Sequence, residues 1–431
     1  MLPSVAVSTA FQVFQVFRQG ATIVIAVALA WSGLTREAIG GYEMLFYIGY
    51  LATFFWSSGL LQAMLSLFPK LDTAAQRGFF VQAYLIFSGL SALLIVLLFL
   101  AREPVLRALV QQETLPYWPL FLVFLVTNIP ATLQEHFYLL QERAWALIGY
   151  GALSAGAQVA VITLPPLLGY DFRWSFVGLV FVGLFKYLWL TFFVMDHLTW
   201  QWRGETLRRW WTIAWPLMTY AGLGAVNISI GAWVVGQLFA GDREVFGIYR
   251  YGARELPLLA ALTGALAGAL IPQIAKNTQQ GLAQLKRESS RLQHLLFPLS
   301  FLLLLTAQWW FPFVFSEAYR PAVPVFNTFL LLTIPYFVFS RTLLIALEDT
   351  RVVPLLVAGS IPVHVALCWL LGNHFGLVGI ALGSVLTFTL EKVVTIIYVQ
   401  RRHGWAWYQY TAWRWWLGYG LVLLLAYAFM S

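Results

Sequence analysis

The chain has 431 residues, of which 60% are hydrophobic and 10% charged, with a mean hydropathy of +0.76. Soluble domains carry roughly 25% charged residues, so this composition excludes a soluble protein and describes one that crosses a membrane many times. The net charge of +8 is spread over single basic residues in short loops, which points to membrane topology and away from nucleic acid, and the single cysteine, Cys368, excludes a disulfide framework.

Crossing a bilayer takes about 20 mostly apolar residues, and runs that are continuously apolar rather than alternating select helices. Thirteen spans are expected, at 8–33, 42–68, 79–101, 116–140, 146–168, 174–196, 210–238, 246–273, 292–316, 322–346, 351–372, 376–400 and 413–430. The N-terminus lacks a basic stretch followed by a short apolar core and a small-residue cleavage site. It reads as the start of span 1, not as a cleaved signal. The connections are too short to fold as a catalytic domain.

With the N-terminus in the cytoplasm, the inside loops carry thirteen Lys and Arg and the outside loops six, which supports that orientation and an outside C-terminus. The stretch Gly241–Gly281 has an earlier counterpart at Arg36–Gly78. R-E-A-I-G-G-Y at 36–42 matches R-E-V-F-G-I-Y at 243–249, an offset of 207 residues, and Pro69, Gln76 and Gly78 match Pro272, Gln279 and Gly281 at 203. Ile129 and Pro130 match Ile334 and Pro335, Glu142 matches Glu348, and Lys186 matches Lys392, at offsets of 205 or 206. Six spans separate the copies, and an even number preserves topology, so the repeats are parallel about an axis along the membrane normal. The expected fold is all-α and polytopic. It has an N-lobe at 1–196, a basic cytoplasmic linker at 197–209 and a C-lobe at 210–400. Residues 401–431 add an aromatic interfacial segment, W-A-W-Y-Q-Y-T-A-W-R-W-W, and an extra thirteenth helix.

These repeats, the R-E-x-x-G-x-Y loops, the Tyr249–Pro272 run with Glu255, Leu256 and Pro257, and F-G-L-V-G-I-A at 375–381 resemble the multidrug/oligosaccharidyl-lipid/polysaccharide (MOP) exporter superfamily over spans 1–12. The chain looks most like that superfamily's polysaccharide and lipopolysaccharide-precursor flippases. The resemblance implies a V-shaped pair of lobes, a central cavity lined largely by spans 1, 2, 7 and 8, and alternating access in the cytoplasmic (inner) membrane. It implies a polyprenyl-(pyro)phosphate-linked oligosaccharide as substrate, with cavity arginines holding the pyrophosphate. Membrane lipids, polysaccharide-assembly proteins and a coupling ion, proton or sodium, are the other partners, and no cofactor is expected.

Arg18 is the sharpest single signal. The apolar run after it, Ala21–Trp31, is too short to span alone, so span 1 must extend back through Arg18 and carry its charge near mid-depth. A charge there costs about 3 kcal/mol and should face protein or a watery cavity. Gln12, Gln15 and Gln19 lie on nearly the same helical face. Arginine grips phosphate with paired donors, so this face reads as a wall for an anionic headgroup; the alternative is a structural bond to backbone carbonyls. Arg250 and Arg254, four apart, share a helical face and belong either to the cavity or to the outer interface. Glu43, Tyr47 and Tyr50 share a face of span 2, and Asn227 lies mid-depth in span 7. They are candidates for binding sugar hydroxyls or for packing hydrogen bonds. Lys186, with Glu135 as a partner, and Lys392 read as structural, as do Glu255, with an Arg or Tyr for partner, and His364, packed in an apolar helix.

No D-x-D pair, Gly-rich phosphate loop or Cys/His metal spacing occurs, so an ATP-driven pump or a nucleotide-sugar transferase does not fit. A multidrug/cation antiporter of the same superfamily is the first competing reading, but spans 1 and 7 lack the mid-depth carboxylate that a cation would need. A membrane-embedded polysaccharide polymerase or ligase is the second; its catalytic outer loop has no counterpart here, and the chain is expected not to be an enzyme.

Overall fold

The computed structural model describes residues 6–196, 203–254 and 256–430, all helix, turn and coil with no strand among them. Glu255, Gln201 and the first half of the expected linker lie outside the described residues. The chain forms two compact units, Met1–Ala225 and Val226–Ser431. The first holds α1 (Val7–Trp31), α2 (Arg36–Leu67), α3 (Thr73–Leu100), the short α4 (Arg102–Val110), α5 (Trp118–Ala131), α6 (Leu133–Leu140), α7 (Ala144–Leu167) and α8 (Arg173–Asp196). Helix α9 (Gly204–Leu238) runs from the first unit into the second. The second unit continues with α10 (Arg243–Gly252), α11 (Pro257–Lys276), α12 (Thr278–Phe315), α13 (Val323–Leu330), α14 (Thr333–Tyr336), α15 (Ser340–Ala346), α16 (Val352–His403), α17 (Trp407–Tyr410) and α18 (Trp413–Met430).

At several helix ends the local geometry recurs at the spacing of the sequence repeat. Thr35 caps α2 by accepting from the Ala38 N–H, and Asp242, 207 residues on, caps α10 by accepting from Val245. Asp72 caps α3 through Ala75, and Asn277, 205 residues on, caps α12 through Gln280. The Ala75 N–H and then Arg203, which donates to Asp72 at 3.0 Å, hold the Asp72 carboxyl below its ordinary pKa range. Glu142 and Glu348 both take a left-handed conformation, φ 56° and 60°. In each case the next residue's N–H returns to a carbonyl five residues back, Arg143 to Tyr138 and Asp349 to Leu344, which closes α6 and α15 in the same way.

Within the first unit α1 packs on α7, and α5 on both α3 and α8. Its buried centre is aromatic, with Phe79, Phe87, Trp118, Phe121, Phe137 and Phe176 all below 2% exposed. The boundary between the units falls inside α9, not at the 197–209 segment. Residues 204–209 are the first turns of that helix, and the Trp210 indole donates to the Leu60 carbonyl of α2. Charged residues at a membrane surface continue a helix readily, so α9 and α12 both begin well before their apolar runs.

Ten described helices are long and apolar enough to cross a membrane, or eleven if Glu317–Tyr336 and Ser340–Ala346, bent by 44°, form one span. The chain is a multi-pass membrane protein. Two features separate this count from the thirteen spans expected. Helix α18 is shortened in hydropathy by Arg414 and its aromatic residues. Helix α16 reads as one 52-residue element but contains Gly376 at φ 59°, ψ −138°, a conformation open to glycine and strained for other residues. The chain reverses there. Cys368 Sγ lies 3.3 Å from the Ile380 carbonyl and His364 Nε2 2.9 Å from Ser384 Oγ, contacts possible only in an antiparallel helical hairpin. The arms touch at Gly383, where a Cβ would sit 2.6 Å from the Cys368 backbone nitrogen. Overpacking costs about 1–3 kcal/mol where side chains can give way, and backbone cannot. Gly383→Leu is therefore expected to lower the melting temperature of the detergent-purified protein by several degrees; an unchanged melt would contradict the hairpin packing.

Span 8, expected as one helix over 246–273, is broken instead. Helix α10 ends at Gly252 and α11 begins at Pro257, because proline has no N–H to donate and disfavours helical geometry in the residue before it. Leu256 is accordingly extended, φ −64°, ψ 109°.

Candidate functional site

In the first unit, Arg18 lies in the middle of the 25-residue α1. Its NH1 is 3.8 Å from Glu135 Oε1, with the Arg18 side chain 55% exposed and that of Glu135 9%. Glu135 sits in the first turn of α6, just past the break at Thr132, and His136 Nδ1 is 3.7 Å from the same carboxylate oxygen. On α8, Lys186 Nζ donates to Asn128 Oδ1 of α5 at 2.7 Å and lies within electrostatic reach of Glu135 and Arg18. Glu135 therefore faces Arg18 as its ion-pair partner, while Lys186 gives its hydrogen bond to Asn128, two residues before Pro130 near the end of α5. The result is a polar cluster of one carboxylate, one imidazole and two cations, Arg18 and Lys186, in which the guanidinium is held loosely and on one side. A 3.8 Å ion pair leaves most of the five guanidinium N–H groups available to the oxygens of an anion. Gln15 is half-buried and Gln19 exposed on the same helix. Glu43 and Tyr47, by contrast, are buried inside the unit at 6% and 3% exposure, which removes them from its surface.

In the second unit a cavity of about 150 Å³ is bordered by Asn227 of α9, Tyr249 and Arg250 of α10, Tyr336, and His364 and Ser384 on the two arms of the α16 hairpin. Asn227 Nδ2 donates to Ser360 Oγ at 3.3 Å. His364 Nδ1 is 2.9 Å from Asn227 Oδ1, and His364 Nε2 is 2.9 Å from Ser384 Oγ. Ser384 Oγ is also 3.2 Å from the Ile380 carbonyl. This chain of contacts is satisfied in two ways. With a neutral ring, Ser384 donates to Nε2; with a charged ring, Nε2–H donates to Ser384, whose hydroxyl turns to Ile380. The buried His364 ring has a partner at both nitrogens, and Asn227 both borders a cavity and makes packing bonds. The pairing was hidden in the sequence because 137 residues separate the partners.

Arg250 and Arg254 do not share a face. The helix that would align them ends between them, so Arg250 borders the cavity while the Arg254 guanidinium lies over the Tyr251 ring, 4.8 Å from its centre. Tyr251 is fully buried and stacked on Tyr319 at 3.9 Å. Lys392 lies over the Phe388 ring, 5.0 Å from its centre, and so has a contact unlike that of its sequence counterpart Lys186.

The family model described as polysaccharide biosynthesis protein matches residues 34–324, and the chain belongs to that family. No curated protein sequence matches it. Its fold is that of the MOP superfamily. The structure of a lipid II flippase, MurJ, in an inward closed conformation is 12% identical, with a TM-score of 0.71 over 97% of both chains. An inward-facing multidrug resistance MATE family transporter is also 12% identical, with a TM-score of 0.68 over 89% of this chain and 94% of that one. A MOP superfamily transporter from Pyrococcus furiosus, described as having a binding pocket of reversed polarity, is 12% identical with a TM-score of 0.57 over 92% and 94%.

Proposed function

We propose that the chain is a secondary flippase that carries a polyprenyl-phosphate- or pyrophosphate-linked oligosaccharide from the cytoplasmic to the outer leaflet of the cytoplasmic membrane, for cell-surface polysaccharide. The observation that carries this reading is Arg18, a half-exposed guanidinium in the middle of a membrane-length helix, in a chain of the polysaccharide biosynthesis family. An arginine at that depth is retained against a cost in insertion, and an anionic headgroup is the ligand for which its paired donors are suited. Gln15 and Gln19 on the same helix supply further donors for phosphate and sugar hydroxyls.

The transport is driven by protons, taken up and released at His364. Both protonation states of that ring keep their hydrogen bonds with Asn227 and Ser384, so changing state costs no unpaired buried polar group. The test is flipping of a fluorescent lipid-linked oligosaccharide in proteoliposomes. Wild type should move it with an imposed proton gradient, and export of a cationic dye with no headgroup movement would favour the multidrug antiporter instead.

Orientation has its own test. The single native cysteine is buried, so introduced thiols report cleanly. Gln280→Cys and Gln201→Cys should resist an impermeant thiol reagent added to intact cells. Rapid labelling of either would reverse the assignment of a cytoplasmic N-terminus.

A further inference from the structure

The aromatic segment before α18 frames a second cavity in the second unit, of about 660 Å³, that the flippase reading does not use. Lys286, Arg287, Arg291 and His294 of α12 border it on one side and Trp413, Arg414 and Trp415 at the head of α18 on the other. Its walls are fixed. Lys286 Nζ donates to the Tyr408 carbonyl at 2.8 Å, and His294 Nδ1 is 2.8 Å from the Tyr419 hydroxyl. The His294 ring meets Trp415 edge-on at 4.7 Å, and the Arg414 guanidinium lies over Trp413. Glu288 engages Arg291 at 2.8 Å and Arg287 at 3.5 Å, one carboxylate beside four cationic side chains.

Each of the two helices continues from this cavity as an exposed apolar stripe headed by an arginine. On α12, Arg291, Leu295, Pro298, Leu302, Trp309 and Phe313 recur at spacings of three, four or seven, all exposed. On α18, Arg414, Gly418, Leu421, Leu425 and Ala428 do the same. From Arg291 to Phe313 the rise is about 33 Å at 1.5 Å per residue, close to the thickness of a bilayer core of about 30 Å. The cavity therefore lies where two neighbouring helices pass from charged to apolar, with tryptophans at the same level, as at a membrane interface.

We propose that this cavity binds the phosphate headgroup of an anionic glycerophospholipid of one leaflet, with its acyl chains lying along the two stripes. A soluble phosphate would gain nothing from the stripes, and a neutral phospholipid would leave the cations unmatched. Arginine forks suit phosphate oxygens, and clustered basic side chains beside transmembrane helices attract anionic lipid.

The test uses the full-length protein in mixed micelles, with phosphatidylglycerol and phosphatidylcholine as probes and bound lipid counted by native mass spectrometry. Wild type should retain phosphatidylglycerol in preference to phosphatidylcholine. Arg291→Gln with Arg414→Gln should weaken that binding by about thirtyfold, from the attraction of two interfacial cations. Lys70→Gln with Arg77→Gln, the same charge change in the first unit, should leave it within about twofold. Arg291→Lys with Arg414→Lys should keep most of it, so loss of fold is told from loss of charge. Equal retention by wild type and the Arg291→Gln, Arg414→Gln protein would overturn the proposal. So would mutation-sensitive binding of farnesyl phosphate with none of phosphatidylglycerol, or of inorganic phosphate as tightly as of lipid.

Discussion

Replacing Arg18 by alanine is expected to abolish headgroup flipping, while Arg18→Lys retains part of it. Lysine keeps the charge but loses the planar pair of donors that matches phosphate. The protein should still insert, because removing a charge from mid-depth relieves a cost of about 3 kcal/mol. The structure adds a complication that the alanine variant alone would not resolve. Glu135 is 9% exposed and has Arg18 as a partner, so Arg18→Ala leaves a buried carboxylate with one cation fewer, and part of any effect would be loss of stability. The double variant Arg18→Ala with Glu135→Gln removes both charges. It should restore the wild-type level of protein in the membrane without restoring transport. If instead it flips lipid-linked oligosaccharide at the wild-type rate, or if Arg18→Ala complements a flippase-deficient strain fully, Arg18 serves the fold and not the substrate.

The second large effect is expected at His364. His364→Leu strips Asn227 and Ser384 of their shared partner and should reduce transport by about tenfold or more, with an accompanying loss of stability of about 1–3 kcal/mol for unsatisfied polar groups. His364→Gln is the sharper variant. A glutamine amide can still bridge the two neighbours but takes up no proton. It should bind substrate with near wild-type affinity yet show no response to an imposed proton gradient and a flattened pH profile. The other titratable and charged groups near this ring are Cys368, whose Sγ is 3.6 Å from Ser384 Oγ, and Tyr249, Arg250 and Tyr336 around the cavity. Cys368→Ser and Tyr249→Phe should keep the gradient response. A gradient-driven His364→Gln protein, with the wild-type pH profile, would remove His364 from the coupling step.

Membrane insertion, helical structure and most span positions were written in composition and run length, because a bilayer forces every backbone polar group into a local hydrogen bond and so makes each span a local problem. The place of Arg18 near the middle of α1 was legible as well, because it depends only on the length of the apolar run beside it. The breaks were less so. A proline at 257 marks a stop, but only the structure shows α10 ending at Gly252, closely packed against Val325 and the Ala322 carbonyl, and so parting Arg250 from Arg254.

What the sequence determined by itself was therefore a helical, multi-pass chain with an unusual cation in its first helix, both properties of single segments. The tertiary structure alone decided which polar side chains meet. Glu135 reaches Arg18 at 3.8 Å, Asn128 reaches Lys186 at 2.7 Å, and His364 joins Asn227 to Ser384 at 2.9 Å each, because helices distant in sequence cross at those residues and bring polar groups together that no local pattern pairs.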